Sequence, residues 1–242
     1  MPLVEFRDVG YQTAGKTILS HISFSVEAGE TVVLLGRSGS GKTTALKMTN
    51  GMLFPTSGQV LVEGRATVDW DPIRLKRRIG YVIQDVGLFP HFTVAANVGL
   101  VPKLEGWGQI SIDRRVDELL RKVGLEPAEF RLRYPRQLSG GQRQRVGVAR
   151  ALAAEPPLLL FDEPFGALDP ITRNELQQQF LELTRDSHKS SIFVTHDIRE
   201  AFRLGHRVAL LSSGRLEAIA APTEFRRAET GEARAFLAGL ED

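Results

Sequence analysis

The stretch GRSGSGKTT (36–44) sets Gly36, Gly41, Lys42 and Thr43 at the spacing G-x-x-x-x-G-K-[ST], directly after the apolar run TVVLLG. Glycines let a backbone curl until successive N–H groups converge on one anion, and the helix that follows adds its positive end. In such a cradle the Lys42 ammonium reaches β- and γ-phosphates and the Thr43 hydroxyl binds Mg²⁺. A second apolar run, PLLLFDEP (157–164), ends in two adjacent acids, Asp162 and Glu163. Ligands of open α/β sheets lie beyond the carboxyl ends of the strands. Neighbouring like charges repel, and a cation removes the repulsion. One carboxylate therefore suits Mg²⁺, and the other suits a water that attacks a γ-phosphate.

A third run, SSIFVTHD (190–197), carries His196 to the same edge. A lone histidine there serves structure as readily as it donates to a γ-phosphate. Asp197 and Glu200 have the spacing of a helix start. In Leu168-Asp169-Pro170, Asp169 suits an N-cap and Pro170 a first helical position, so capping alone accounts for the acid. The stretch LSGGQRQRVGVARAL (138–152) begins a helix: Ser139 and Gln142 have capping-box spacing. Yet Gly140 and Gly141 fall in its first turn, where each costs about 1 kcal/mol relative to alanine. That cost needs a reason.

These residues require a scaffold of strands that end at one edge. The three apolar runs alternate with helical patterns, which points to a parallel sheet covered on both faces. RVALLSSG (207–214) adds a further strand. LVEFRDVGYQ, ILSHISFSVEAG and GQVLVEG read as short alternating strands of an antiparallel sheet. Residues 86–152, with SIDRRVDELLRKVG and loops rich in Gly and Pro, read as a helical subdomain inserted between the first and second buried strands. The expected organisation is one domain: a core over 1–85 and 153–215, the helical subdomain over 86–152 and a tail over 216–242.

Composition narrows the classes. Of 242 residues, 42% are hydrophobic and 25% charged, an ordinary globular balance. No apolar run approaches the roughly 18 residues of a membrane span, and the first residues lack a signal-peptide pattern. The absence of cysteine excludes disulfides and thiolate metal sites and fits a reducing compartment. A net charge of +2 and a pI near 9.0, without a Lys/Arg block, do not point to nucleic acid.

Together the motifs resemble the ATP-binding subunit of an ABC transporter over nearly the whole chain. GRSGSGKTT resembles the Walker A motif (Gly36, Arg37, Ser38, Gly39, Ser40, Gly41, Lys42, Thr43 and Thr44), and LLLFDE resembles Walker B. LSGGQ resembles the family signature, ALD (167–169) the D-loop, and His196 the switch histidine. Gln84 in GYVIQD matches the Q-loop glutamine, a further Mg²⁺ ligand beside Thr43 and Asp162. Tyr11 sits where the family places an aromatic ring on adenine. The resemblance implies an α/β P-loop NTPase, RecA-like, with an N-terminal antiparallel β subdomain and an inserted helical subdomain.

It also implies ATP hydrolysis in a head-to-tail pair of copies. ATP lies between the Walker A of one copy and Ser139, Gly140, Gly141 and Gln142 of the other, with Asp169 close by. The two glycines then keep Cβ atoms away from the partner's γ-phosphate. The catalytic set is Glu163, His196, Gln84 and Lys42. The implied partners are membrane-spanning permease subunits at the cytoplasmic face of the inner membrane and, indirectly, an extracytoplasmic solute-binding protein, with no nucleic acid.

GLFPHFTVAANV (87–98) resembles importer subunits. LKMTNGMLFPTSGQV, RRIGYVIQDVGLFPH and VPKLEGW resemble those of quaternary-amine osmoprotectant importers (glycine betaine, choline, carnitine), although TNGM departs from the INRL-like form expected there. Importers of polar amino acids or methionine are the alternative. A non-transport ABC ATPase acting on nucleic acid fits less well, because sustained heptads and a second ATPase domain are missing. A regulatory module without turnover would have lost Lys42, Glu163 or His196.

Overall fold

The computed structural model describes residues 1–84, 86–166, 169–187 and 189–240; Ala167 and Leu168 of the ALD stretch, and His188, lie outside the described residues. The chain divides into two units, residues 1–76 with 188–242, and residues 77–187.

In the first unit, polar and apolar residues alternate along β1 (Val4–Thr13) and β2 (Lys16–Val26), which bury Val4, Phe6, Leu19, Ile22 and Val26. Phe6 and Phe24 stack face to face at 4.4 Å. The alternation breaks at Asp8, whose φ of 49° marks a bulge between Phe6 and Val9. β3 (Thr31–Leu35) follows, buried at every position, then α1 (Lys42–Thr49), β4 (Ser57–Val62), β5 (Arg65–Ala66) and α2 (Pro72–Arg77). The antiparallel sheet has the order β2-β1-β4-β5.

The second unit opens with β6 (Ile79–Val82). The α-helices that follow among the described residues are α3 (Val94–Val98), α4 (Leu100–Leu104), α5 (Gln109–Lys122), α6 (Pro127–Phe130) and α7 (Gly140–Leu152). β7 (Leu158–Asp162) then pairs in parallel with β6, and α8 (Pro170–Ser187) ends the unit. α5 forms because Ile112, Val116, Leu119 and Leu120 recur at helical spacing; they are buried, and α5 packs on α7.

The chain re-enters the first unit with β8 (Ser190–Thr195), α9 (Ile198–Leu204), β9 (Arg207–Ser212), β10 (Arg215–Ala220), α10 (Pro222–Phe225) and α11 (Gly231–Ala238). β8 and β9 flank β3 in parallel, while β10 runs antiparallel to β9. Their continuous apolar runs reflect burial on both faces. The core here is Val32–Leu35, Ile192–Val194 and Val208–Leu211, each side chain 0% exposed. Full burial of one such side chain contributes about 1.5–3 kcal/mol.

Candidate functional site

In the first unit, β3 ends at Leu35, opposite Thr195 of β8. Gly36 and His196 are the next residues, so they leave the sheet side by side at one edge, and His196 is exposed. The loop that starts at Gly36 curls into α1. Gly41 has φ 101°, and a Cβ there would lie 2.4 Å from Leu19 Cδ2, so both backbone and space require glycine. Lys42 is only 4% exposed and donates from Nζ to the carbonyls of Gly36 at 2.8 Å and Arg37 at 2.9 Å. The lysine thus holds the loop closed around its own ammonium.

Two features fit this loop to a polyphosphate. α1 has no side-chain cap and no acid in its first turn, so its dipole favours an outside anion. The buried Ser40 hydroxyl has no partner among the described residues, and such a group is costly unless a ligand or water meets it. Tyr11 lies opposite Leu19 in the β1–β2 ladder, and Leu19 packs on Gly41. The half-buried tyrosine is thereby held near the loop.

In the second unit, Asp162 is buried at the end of β7, and Tyr81 Oη donates to its Oδ2 at 3.4 Å. Burial, then the charge of Asp162, then this bond, push the Tyr81 phenol above its ordinary pKa. Glu163 has φ 45°, a left-handed backbone that costs a residue with a side chain about 1–3 kcal/mol. A Cβ built on Gly166 would lie 3.8 Å from Gln84 Nε2 and 3.9 Å from Glu163 Oε2. The Gln84 amide and the Glu163 carboxylate therefore flank one point.

The α7 tip carries the expected capping box: Gln142 N donates to Ser139 Oγ at 3.2 Å, and Ser139 N donates to Gln142 Oε1 at 2.9 Å. Ser139 and Gly140 are exposed. A Cβ on Gly140 would meet nothing closer than an Arg143 side-chain nitrogen at 4.0 Å, whereas one on Gly141 would lie 2.6 Å from Thr172 Cγ2 on α8. Gly141 therefore has an internal packing reason besides the one that the resemblance implies. Asp169 caps α8, accepting from Thr172 N at 3.0 Å and Ile171 N at 3.2 Å. These bonds, that from Thr172 foremost, hold its carboxyl below the ordinary range.

Asp197 caps α9, accepting from Arg199 N at 2.7 Å and Glu200 N at 3.4 Å; Glu200 in turn accepts from the Thr195 hydroxyl at 2.7 Å.

Sequence reasoning missed Arg150. From α7 it donates to the carbonyls of Val86 at 2.6 Å and Gly87 at 2.7 Å, just beyond Gln84, and burial lowers its pKa. Arg145, one turn nearer the tip, bonds Glu175 on α8 at 2.7 Å. An arginine among the apolar positions of α7 was the available signal. Also missed was the buried Asn97. It accepts from Phe89 N at 2.8 Å and donates to the carbonyls of Phe89, Phe92 and Thr93 at 3.0–3.2 Å. The loop so shaped presents Phe89 and Phe92, 47% and 37% exposed, with ring centres 5.3 Å apart.

Among the described residues there is no cluster of three or more His, Cys, Asp or Glu that could hold a metal. Within the second unit, the Gln84 amide and the Asp162 carboxylate are the kinds of oxygen ligand that suit Mg²⁺, which keeps waters and takes phosphate oxygens as ligands. No helix among the described residues is long and apolar enough to cross a membrane.

Comparison with known proteins gives the same outline. The choline transport ATP-binding protein OpuBA of Bacillus subtilis is 47% identical over 213 residues, 88% of this chain and 56% of that protein. The glycine betaine uptake system ATP-binding protein YehX of Escherichia coli is 46% identical over 212 residues, 88% of this chain and 68% of that protein. The chain thus spans little more than half the length of the first of these. The dimeric, post-hydrolysis structure of the ATP-binding cassette MJ0796 bound to ADP and Pi matches with a TM-score of 0.81 and 34% identity, over 90% of this chain and 98% of that one. A family model described as ABC transporter matches residues 19–166, a span that includes the Gly36–Thr44 loop, Gln84, the Ser139–Gln142 helix tip and the Asp162–Glu163 strand end. With more than half of its length so matched, the chain belongs to the ABC transporter family.

Proposed function

We propose that this chain is the ATP-hydrolysing subunit of an importer of quaternary amines, and that it acts as a head-to-tail pair of copies. The observation that carries the reading is the contrast of its two glycine-bearing helix ends. One is an uncapped anion cradle around Lys42; the other is a capped tip whose Ser139 and Gly140 are exposed.

ATP is the substrate. Lys42 and the amides of Arg37, Ser38, Gly39, Ser40, Gly41 and Thr44 hold its phosphates, and Tyr11 stacks on adenine. Ser139, Gly140, Gly141 and Gln142 of the second copy close on the γ-phosphate, with Asp169 beside them. Thr43, Gln84 and Asp162 would hold Mg²⁺, which neutralises phosphate charge. Glu163 orients and deprotonates the attacking water, while Gln84 and His196 bond the γ-phosphate. The γ-phosphate bridges both copies, so its presence favours the closed pair and its loss releases it.

Membrane-spanning permease subunits dock on the Phe89–Phe92 surface, which puts the chain at the cytoplasmic face of the membrane as a peripheral subunit. An extracytoplasmic solute-binding protein delivers the solute. The names of the relatives support the quaternary-amine class, and choline and glycine betaine are the first solutes to test.

The test uses purified chain with ATP and Mg²⁺, followed by light scattering. Glu163→Gln should keep ATP, lose at least about 100-fold in turnover, and accumulate as a dimer only with ATP. Full turnover by single chains, or a monomer in every nucleotide state, overturns the paired mechanism. In cells, deletion should abolish uptake of labelled choline or glycine betaine. Unchanged uptake of both removes the solute class.

A further inference from the structure

The tail reaches the loop that follows β3. α11 starts with a Thr230 cap, which accepts from Ala233 N at 3.2 Å, and Ala233 is fully buried, so the helix is seated in the first unit. In its first turn, Glu232 accepts from Arg37 Nε at 2.6 Å, across 195 residues of chain. Arg37 is the second residue of the loop, and its carbonyl is one of the two that hold the Lys42 ammonium. The same residue is thus held from inside by the lysine and from outside by the tail. At the other end of α11, the Gly239 carbonyl accepts from Arg199 Nη2 at 3.2 Å. Arg199 lies in the first turn of α9, three residues beyond His196. α11 therefore ties together both phosphate-side segments of its unit.

We propose that Glu232 is a positioning residue for the nucleotide, fixing the Arg37 limb of the phosphate loop so that its amides are set before ATP arrives. The inference rests on the ATP-binding reading above. A glycine-rich loop loses conformational freedom when it wraps a ligand, and a contact that orders it beforehand reduces that cost on binding. The opposite sign follows from charge alone. The Glu232 carboxylate repels a polyphosphate and occupies Arg37, so without the positioning effect its removal would tighten ATP binding.

The experiment measures the KM for ATP and kcat of Glu232→Gln, Arg37→Gln and the double variant, with Lys42→Ala as a control and thermal unfolding alongside. The side chains are 69% exposed for Arg37 and 20% for Glu232. An exposed pair of this kind predicts a rise in KM of about two- to fivefold in Glu232→Gln, with kcat unchanged. The double variant should be no worse than Arg37→Gln. Raising ionic strength should bring the wild-type KM towards that of the variant, because salt screens the pair. A KM that is unchanged or lower in Glu232→Gln overturns the inference, as do additive effects of the two substitutions. If wild type hydrolyses ATP and Lys42→Ala does not, such a result removes the role of Glu232 alone. If wild type neither binds nor hydrolyses ATP, the functional reading falls and takes this inference with it.

Discussion

Two helices begin beside glycines, and they treat their first amides in opposite ways. α1 starts at Gly41 without a side-chain cap or an acid, and Lys42 behind it is buried. α7 starts at Ser139 with a closed capping box and an exposed tip. With no side-chain cap and no acid beside it, the first end favours an anion through its dipole. The second end satisfies the amides of Ser139 and Gln142 by itself and presents those of Gly140 and Gly141 outward. In the paired mechanism proposed above, each end keeps its own hydrogen bonds within its copy, so the site can assemble and come apart without either half unfolding.

The contrast can be broken by substitution. The largest effect is expected from Gly41→Ala: a left-handed backbone and a contact at 2.4 Å to Leu19 predict loss of ATP binding and about 1–3 kcal/mol of stability, read by nucleotide titration and urea unfolding. Gly141→Ala should follow, with about 1–2 kcal/mol lost to the clash with Thr172 and partial recovery in Gly141→Ala/Thr172→Ser; a double variant no more stable than the single would show that the clash is not the cause. Ser139→Ala opens the capping box and should cost about 1 kcal/mol in urea unfolding. The smallest change in stability belongs to Gly140→Ala. Its Cβ meets open space, so the single chain should unfold as wild type or up to about 0.5 kcal/mol later. Its ATP-dependent dimer should nevertheless weaken, and full dimerisation with normal turnover would show that nothing approaches that tip.

The parts legible in the sequence were those where one local rule decides. Buried strands showed as apolar runs at 31–35, 158–162, 190–195 and 207–212, and the phosphate loop, the strand-end acids and the Ser139 cap stood at readable spacings. What stayed hidden depends on residues far apart in the chain. Thr172 fills the space that keeps Gly141 small, Arg150 holds the segment after Gln84, and Glu232 holds Arg37. The tail has short elements and no strong period, so β10, α10 and α11 take form from the sheet and core they pack on rather than from local propensity. The left-handed backbone of Glu163 was equally unreadable, because nothing in the residue type announces it.

Asn97 has a consequence for how this chain meets other proteins. Its buried amide ties down four backbone groups of the 89–93 turn, so the backbone that carries the two phenylalanine rings is shaped before any visitor comes. The freedom that a floppy loop would surrender at encounter has already been given up during folding. In the docking proposed above, recognition at this turn would then be quick and reversible. It should also tolerate variation in the visitor's backbone, provided that an apolar knob meets the gap between the rings.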